Sequence, residues 1–285
     1  MNEKIRPSCM KLIVLIFLQL VCVFCKEGTT GKNVKMKHTK TDTQNIFISH
    51  VIYTPEATVH KFISHLQNEQ LPVWRKLRSE SIIDELSVFR LAQLDSTTTD
   101  SLPCNYLILT HLRTGVNARD FLKKENFIMR SDSSLFKLLR TEVLNCVPNA
   151  YFPALHPENS DKIEFLVEFI AVKDSAQFLK KFHDLMDIYF GPANGLLVQE
   201  GKLYNLYMME TKEVVYQADN RMAWNQIHLS GDFPEFINVD WDSLYTDLFR
   251  REFSCELDSV WALLPPRLNT SINCKGELIS QLSIK

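Results

Sequence analysis

The sequence predicts an α+β protein in which one structural unit occurs twice, and three observations support this prediction. First, residues 61–94 have the pattern of an amphipathic helix that runs into a strand. Second, a stretch of the same kind begins at Gln177. Third, short runs rich in β-branched and aromatic residues, which are typical of strands, surround both stretches in the same order. Each half therefore has the order β-α-β-β-α-β, which is the split βαβ unit.

The first repeat is predicted over residues 46–156. Phe62, Leu66 and Trp74 lie near helical spacing, and Pro72 is expected to kink or restart their helix. In chain order the predicted elements are a strand at 46–53, a helix opened by Pro55-Glu56, strands at 81–94 and 104–112, a helical region at 117–142 and an extended segment at 146–155.

The second repeat is predicted over residues 161–265, and residues 266–285 are expected to form a C-terminal tail. Pro265-Pro266 is expected to end the repeat, because proline cannot continue regular structure. The predicted elements are a strand at 161–172, a helix with an apolar face from Phe178 to Tyr189, strands at 196–210 and 221–229, a helix with an apolar face from Trp241 to Phe249 and a final strand at 255–264.

The two repeats can be aligned through several positions that occur in the same order. The alignment pairs Glu85 with Glu200, Phe89 with Tyr204, His111 with His228, Cys146 with Cys255 and Phe152 with Trp261. The shared order within one frame predicts a duplication and excludes a solenoid, which would show short repeats of fixed period.

This arrangement resembles the dimeric α+β-barrel group, a ferredoxin-like class that includes antibiotic-biosynthesis-type monooxygenases. The resemblance covers residues 46–265 and rests on element order and internal repetition. In that group two β-α-β-β units place their sheets face to face and form a barrel. The resemblance therefore implies that the two repeats of this one chain pack sheet to sheet as an intramolecular pseudo-dimeric α/β barrel.

The N-terminus predicts an exported protein, either periplasmic or extracellular. Lys4, Arg6 and Lys11 precede the apolar run 12–25, which has the length of a signal-peptide hydrophobic region. We expect a signal peptide over residues 1–25 and a flexible polar tether over 26–45. An uncleaved membrane anchor and a lipid on Cys25 or Cys22 are the alternatives.

Four cysteines follow the predicted leader: Cys104, Cys146, Cys255 and Cys274. An even number of cysteines in an exported chain permits two disulfides, which can be paired in three ways. Buried free thiols are the alternative interpretation. None of the four lies in a CxxC arrangement, so the pattern does not indicate a metal cluster.

Composition and motifs exclude several functional classes. The net charge is -2 for 285 residues, and no basic stripe indicates a nucleic-acid surface. The chain contains no GxSxG, GxGxxG or HExxH motif, so nothing predicts a serine hydrolase, a nucleotide-binding loop or a preformed zinc site.

Polar residues inside predicted strands are the candidate site residues, because both faces of such strands are expected to be apolar. They are His50, His111, Glu168 and His228. Trp224 is added because it is an even number of residues from His228 and is expected on the same face of the strand. One hypothesis gathers them inside the barrel, where they bind a ligand or a transition metal, or act as acid and base. The alternative places them at strand ends, hydrogen-bonded to loops.

The sequence favours an exported module that binds a small apolar ligand or has a structural role, with no cofactor expected. A monooxygenase-like or haem-associated enzyme that uses the barrel interior is the first alternative, since the resemblance includes haem-handling proteins. A protein-interaction domain is the second alternative. Association into a homo-oligomer is compatible with each of them, and membrane contact is expected only through the leader.

Overall fold

A computed structural model describes residues 45–94, 104–126, 134–156, 163–172, 176–218, 223–236, 238–263 and 269–284. The predicted leader and nearly all of the predicted tether lie outside the described residues. No helix in the described part of the chain is long and apolar enough to cross a membrane.

In the described part of the chain, eight strands form a closed antiparallel barrel and seven α-helices cover its outside. The strands are β1 Ile46–Tyr53, β2 Ile83–Gln93, β3 Tyr106–Leu112, β4 Lys137–Phe152, β5 Glu164–Val172, β6 Leu203–Gln217, β7 Gln226–Asp232 and β8 Asn269–Leu278. The helices are α1 Val59–His65, α2 Leu71–Ser79, α3 Ala118–Glu125, α4 Ala176–Leu185, α5 Gly191–Gln199, α6 Trp241–Phe253 and α7 Leu257–Trp261. Around the barrel the strand order is β1-β3-β2-β8-β5-β7-β6-β4.

The strand order confirms the predicted intramolecular pseudo-dimer. Residues 46–152 supply four neighbouring strands and residues 164–278 supply the other four, so the second repeat extends past its predicted end at 265. The repeats are joined where β2 pairs with β8 and where β4 pairs with β6. Strand register repeats as well: Ile83 faces Leu112 in the first repeat, and Leu203 faces Asp232 in the second. A residue of β2 or β3 therefore corresponds to the residue 120 positions later, in β6 or β7.

The long helical regions of the two repeats share one irregularity. A π-helical turn, Leu66–Gln70, separates α1 from α2, and a second one, Met186–Phe190, separates α4 from α5. Pro72 and Pro192 stand just after these turns. Because proline lacks an N–H, it cannot make the usual helical hydrogen bond, and the chain takes wider π-type bonds before it. The kink predicted at Pro72 is thus a feature of both repeats.

Gly191 shows how closely the second π-turn packs against β4. A Cβ atom added at Gly191 would lie 2.5 Å from the Asn149 carbonyl oxygen and 2.6 Å from the Met186 carbonyl oxygen. Because both obstacles are backbone atoms, Gly191→Ala is expected to lower the free energy of unfolding by about 1–3 kcal/mol. Urea unfolding checks this, with Gly201→Ala as a strained-turn comparison, because Gly201 has φ +68° and open space around it.

Three predicted elements are wrong in part. The strand expected over 196–210 begins only at Leu203, because residues 196–199 belong to α5. The helical region expected over 117–142 is helical only to Glu125, and its last residues belong to β4. The strand expected over 255–264 contains helix α7, in which Leu257 and Val260 form the buried face. Residues 269–278, expected within the tail, form β8. This strand fills the gap between β2 and β5, which would otherwise be two open sheet edges.

The register also corrects the alignment of the repeats. His111 pairs with Glu85 near the start of β2, and Gly231 pairs with Asn205 near the start of β6. Gly231 is therefore the counterpart of His111. The counterpart of His228 is Ile108, which faces β1 as His228 faces β5. Pairing Cys146 with Cys255 is wrong too, because Cys146 lies on β4 and Cys255 precedes α7.

The described residues form three apolar cores. One fills the barrel interior, and Phe47, Phe89, Phe165 and Trp224 belong to it. The other two lie between the sheet and the helices, and we call them the first helix layer and the second helix layer, after their repeats. A side chain on a barrel strand therefore faces either the interior or a helix layer.

Candidate functional site

His50 lies in the first helix layer and not in the barrel interior. Successive residues of a strand face opposite sides of the sheet. Phe47 and Val51 of β1 belong to the interior core, whereas Ile48 and Ile52 belong to the first helix layer. His50 shares the parity of Ile48 and Ile52, so the hypothesis that it points into the barrel is wrong.

The imidazole of His50 is held by a buried polar network. Its Nδ1 lies 2.9 Å from Thr141 Oγ1, and its Nε2 lies 2.9 Å from Glu125 Oε2. Trp74 Nε1 donates to the other carboxylate oxygen of Glu125 at 2.8 Å. The His50 and Glu125 side chains have no exposed surface. The network therefore links β1, β4, α2 and α3 and leaves no path for a ligand.

The second repeat has a different polar link at the corresponding place. Tyr245 of α6 donates a hydrogen bond to Asn194 Oδ1 of α5. Asn194 and Tyr245 lie 120 residues after Trp74 and Glu125, whose side chains are also hydrogen-bonded to each other. Each repeat therefore has a helix-to-helix hydrogen bond at this place, and the two bonds are made by different residues.

Glu168 and His228 are brought together, also outside the barrel. They face each other on β5 and β7, and Glu168 Oε2 lies 3.9 Å from His228 Nδ1. Their neighbours Phe169 and Ile227 face the interior, so Glu168 and His228 face the second helix layer. Burial raises the pKa of Glu168 to about 8, because the charged carboxylate is disfavoured away from water.

Trp224 does lie inside the barrel, where it is part of a buried charge network. Its Nε1 donates to Glu142 Oε1 at 2.7 Å, and the Arg140 guanidinium lies 4.6 Å from the centre of its ring. Arg140 Nη2 and Nε donate to Glu142 Oε2 at 2.7 and 2.9 Å. Thr211 Oγ1 donates to the same oxygen at 2.9 Å. Arg140, Glu142 and Trp224 are almost fully buried, so the network fills this end of the barrel interior.

His111 lies at the opposite end of the barrel interior. It is the next-to-last residue of β3, whereas Trp224 precedes β7, and these two strands run in the same direction because they are four places apart in an antiparallel barrel. The ring of His111 stacks on Phe47 with centroids 4.6 Å apart. Its Nδ1 lies 3.3 Å from the Tyr151 hydroxyl. Burial lowers the pKa of His111, which keeps the imidazole neutral at pH 7, although Asp84 opposes this shift.

Other polar groups converge on the same end of the barrel. Glu85 Oε1 accepts a hydrogen bond from Ser87 at 3.2 Å, and the Tyr207 hydroxyl donates to Glu85 Oε2 in a long contact of 3.5 Å. Tyr207 stacks on Tyr151 with centroids 5.1 Å apart. His111 keeps 8% of its surface exposed, and Glu85 and Tyr151 are half-buried, so solvent reaches this end.

Asn205 stands beside these groups on β6. Its side chain is 4% exposed, and its Oδ1 has no hydrogen-bond partner among the described residues. Oδ1 lies over Gly231, 2.6 Å from where a Cβ of that residue would be. We define the barrel-mouth site by six residues, namely Phe47, Glu85, His111, Tyr151, Asn205 and Tyr207.

The five predicted site residues therefore occupy four separate places. Glu168 and His228 form one pair, while His50, His111 and Trp224 each lie in a different network. Sequence reasoning missed Tyr151, Asn205 and Tyr207 as members of a site. The alternation of Asn205 and Tyr207 on β6 could have indicated two inward polar side chains, whereas the prolines around Tyr151 hid the end of β4.

The described residues do not fit the transition metal of the sequence-based hypothesis. No three side chains of His, Cys, Asp or Glu among them lie close enough together to hold a metal ion. The imidazole of His111 is enclosed by Phe47 at 4.6 Å and Tyr151 at 5.1 Å between ring centres. These contacts hold the imidazole between two aromatic side chains.

The four cysteines that could pair are free thiols in the structure. Cys104, Cys146 and Cys274 pack against the barrel interior. Burial raises the pKa of each of these three thiols, so they stay protonated and weakly reactive at neutral pH.

No protein-family model and no curated protein matches this sequence. Among solved structures, a heme-binding protein from Thermus thermophilus is similar to this chain, with 12% identity, TM-score 0.44 and coverage of 84% of this chain and 92% of that one. A mutant chlorite dismutase from Candidatus Nitrospira defluvii has 9% identity, TM-score 0.45 and coverage of 84% and 93%. The encapsulated DyP-type peroxidase from Mycobacterium smegmatis has 9% identity, TM-score 0.44 and coverage of 83% and 94%. At these values the similarities carry no argument about activity, and the barrel assignment rests on the strand order of the chain itself.

Proposed function

We propose that the protein is a binding module that takes a small aromatic molecule at the barrel-mouth site. The proposal rests on one observation. Hydrogen-bonding groups lie among aromatic side chains at the solvent-reachable end of a closed barrel. Ligand sites are typically concave and apolar, with a few polar groups that fix orientation. Here Phe47, Tyr151 and Tyr207 supply the walls, and His111 and Glu85 supply the polar groups.

The rest of the barrel supports this location by being filled. Aromatic side chains occupy the middle of the interior, where Phe89 and Phe165 lie 5.2 Å apart. The far end is closed by the network of Arg140, Glu142 and Trp224. A ligand that enters the barrel without repacking it is therefore restricted to the mouth.

A cofactor-independent, monooxygenase-like enzyme is the second candidate, and one specific observation favours it. His111 is held neutral by burial and lies within reach of the Tyr151 hydroxyl. A neutral imidazole beside a bound ligand can accept a proton from it. Oxygen uptake that depends on both ligand and His111 would favour this candidate over binding alone.

Exposed apolar residues on β6 support the protein-interaction alternative less well. Val214, Val215 and Tyr216 are exposed. In the described part of the chain, β7 pairs with β6 only as far as Glu210, so β7 does not cover these three residues. However, register shifts against β4 show that Lys212 and Val215 are extra residues in this strand. Bulges and an edge lysine hinder pairing with another strand.

Substituted benzenes test the proposed function directly. We expect wild-type protein to bind at least one of benzylamine, benzyl alcohol and benzoate in isothermal titration calorimetry, and His111→Ala to weaken that binding about 10-fold by removing one hydrogen bond and one ring contact. His60→Ala serves as the matched control, because His60 is exposed on α1. Wild-type affinity in His111→Ala would contradict ligand binding at the barrel-mouth site.

A further inference from the structure

Glu168 of the second repeat occupies the place that His50 occupies in the first. His50 is paired with Ile108 of β3, and Glu168 is paired with His228 of β7. Ile108 and His228 are counterparts, so the residues that are paired with them are counterparts too. Each repeat therefore has a polar side chain at the same point of its sheet, buried beneath its helix layer.

The first repeat connects this side chain to a helix, and the second does not. His50 Nε2 lies 2.9 Å from Glu125 Oε2 of α3. Glu125 corresponds to Tyr245 of α6, and the Tyr245 hydroxyl donates its one proton to Asn194 of α5. Among the described residues no hydrogen bond joins Glu168 to a helix, and its Oε2 is buried without a hydrogen-bond partner. The second helix layer thus lacks the strand-to-helix link of the first.

The sheet around Glu168 does not replace that link. Glu168 Oε2 lies 3.9 Å from His228 Nδ1, which is beyond hydrogen-bonding distance. Asn273 of β8 is paired with Glu168 on the other side, and its Oδ1 is an acceptor that is also buried without a partner. In the first repeat the same place is taken by Thr141, whose hydroxyl lies 2.9 Å from His50 Nδ1. An acceptor beside a carboxylate gives the ionised form no support.

Other titratable groups face the second helix layer from the elements around Glu168. They are His228 and Asp232 of β7, Glu164 of β5 with Lys275 of β8 at 2.8 Å, Glu210 of β6 with His183 of α4 at 2.9 Å, and Tyr245 of α6. The buried faces of α5, α6 and α7 carry no charged residue. Glu168 is therefore covered by helices that offer it no charge to pair with.

Ionisation of Glu168 works against this covered state. Burial raises the pKa of Glu168 from its ordinary value of 4.5 to about 8. Because the pKa in the covered state is the higher one, the protonated carboxyl stabilises that state fully below about pH 4.5, and this stabilisation is lost as the pH rises through 8. Burial and the charge of Glu164 raise the pKa of Asp232 to about 7, so Asp232 acts in the same direction.

Water reaches Glu168 with least rearrangement from the helix side. Strand β5 is hydrogen-bonded to β7 along one edge and to β8 along the other, so the strand itself is fixed. Helix α6 packs through an apolar face, and the polar link of Tyr245 leads to α5 and not to the sheet. Local opening takes the elements with the fewest such links first.

We propose that Glu168 is a pH-sensitive switch for the second helix layer. The protonated carboxyl keeps the layer closed, and its ionisation opens the layer locally as α6 moves away from β5 and β7. The eight-stranded barrel and the first helix layer stay folded. The switch is a conformational device that is separate from ligand binding at the barrel-mouth site.

Amide hydrogen exchange of the full chain at pH 6 and pH 8 tests the switch, with each rate divided by the intrinsic exchange rate to give an opening equilibrium constant. Between these pH values we expect the constant for α6 to rise about 50-fold more in wild type than in Glu168→Gln. Asp232 is present in both proteins, so its effect cancels. Glu80→Gln is the control and should match wild type, because Glu80 is an exposed carboxylate at the end of α2.

Two results would overturn the switch. One is an equal rise for α6 in wild type and Glu168→Gln, including the case in which Asp232→Asn removes the rise instead. The other needs no variant, and it decides even if Glu168→Gln fails to fold. In wild type the constant for α6 should rise with pH far more than that for its counterpart α3, whereas a parallel rise in both helices would mean that the whole protein unfolds.

Discussion

Replacing Arg140 by methionine is expected to lower the free energy of unfolding by about 3–5 kcal/mol. Arg140 and Glu142 are 3% and 0% exposed, and the guanidinium donates two hydrogen bonds to one carboxylate oxygen. Methionine fills a similar volume but leaves the Glu142 carboxylate charged in an apolar interior. The cost comes from that uncompensated charge and not from the lost contact alone.

Urea unfolding at pH 7 measures this effect, and a second substitution isolates its cause. Adding Glu142→Gln to Arg140→Met removes the stranded charge but keeps an acceptor for Trp224 Nε1, so about half or more of the lost stability should return. Arg119→Met is the control, because Arg119 pairs with Glu213 on the surface and such pairs contribute less than about 1 kcal/mol. A double variant no more stable than Arg140→Met would contradict the explanation.

Glu168→Gln is expected to stabilise the protein at pH 8 and above by about 3–5 kcal/mol, and to change little at pH 4. The folded-state pKa of Glu168 is raised to about 8 by burial, above its ordinary value of 4.5. A raised folded-state pKa means that the protonated carboxyl stabilises the fold below about pH 4.5. This stabilisation is lost as the pH rises from 4.5 through 8. Glutamine cannot ionise, so the variant avoids the loss.

The difference in unfolding free energy between wild type and Glu168→Gln, measured at several pH values from 4 to 9, checks this prediction. The difference should grow with pH between 4.5 and 8 and then level off. Other titrating groups, such as Asp232 and His183, are present in both proteins and cancel in the difference. A difference independent of pH would mean that folding does not shift the pKa of Glu168, and it would contradict the prediction. Glu80→Gln, with an exposed carboxylate, should show no such growth.

The fold was predictable because local pattern and tertiary structure agree in most elements. The strand predicted at 46–53 is β1, and the helix opened near Pro55 leads through the kink expected at Pro72. Repetition of the element order then limited the architecture to two equal halves. The closed barrel confirms this prediction, since each half supplies four strands.

The last strand could not be predicted from local pattern, because its place is set by the barrel. Residues 255–264 are as apolar as a strand, but Leu257 and Val260 pack as one face of a helical turn against α6 and its neighbours. Strand β8 includes Lys275, Gly276 and Glu277, which do not resemble a buried strand. They pair because β2 and β5 both require a neighbour.

The site was only partly predictable. Alternation along a strand shows which residues share a face, but it does not show which face points inward. His50 and His111 are equally polar interruptions of apolar strands, yet His50 faces the helices and His111 faces the interior. One residue of register decides between these outcomes. Tyr151 and Glu85 join His111 only through pairing of distant strands, which a single sequence does not reveal.

The most direct test of the barrel-mouth site is an NMR titration that observes the histidine imidazole signals while benzylamine, benzyl alcohol or benzoate is added. His111→Gln assigns one signal, and His50→Gln and His228→Gln assign two others. We predict a saturable shift of the His111 signal, with the His50 and His228 signals unchanged because both residues lie outside the barrel. A shift of His50 or His228 in place of His111, or no saturable shift at all, would contradict the account.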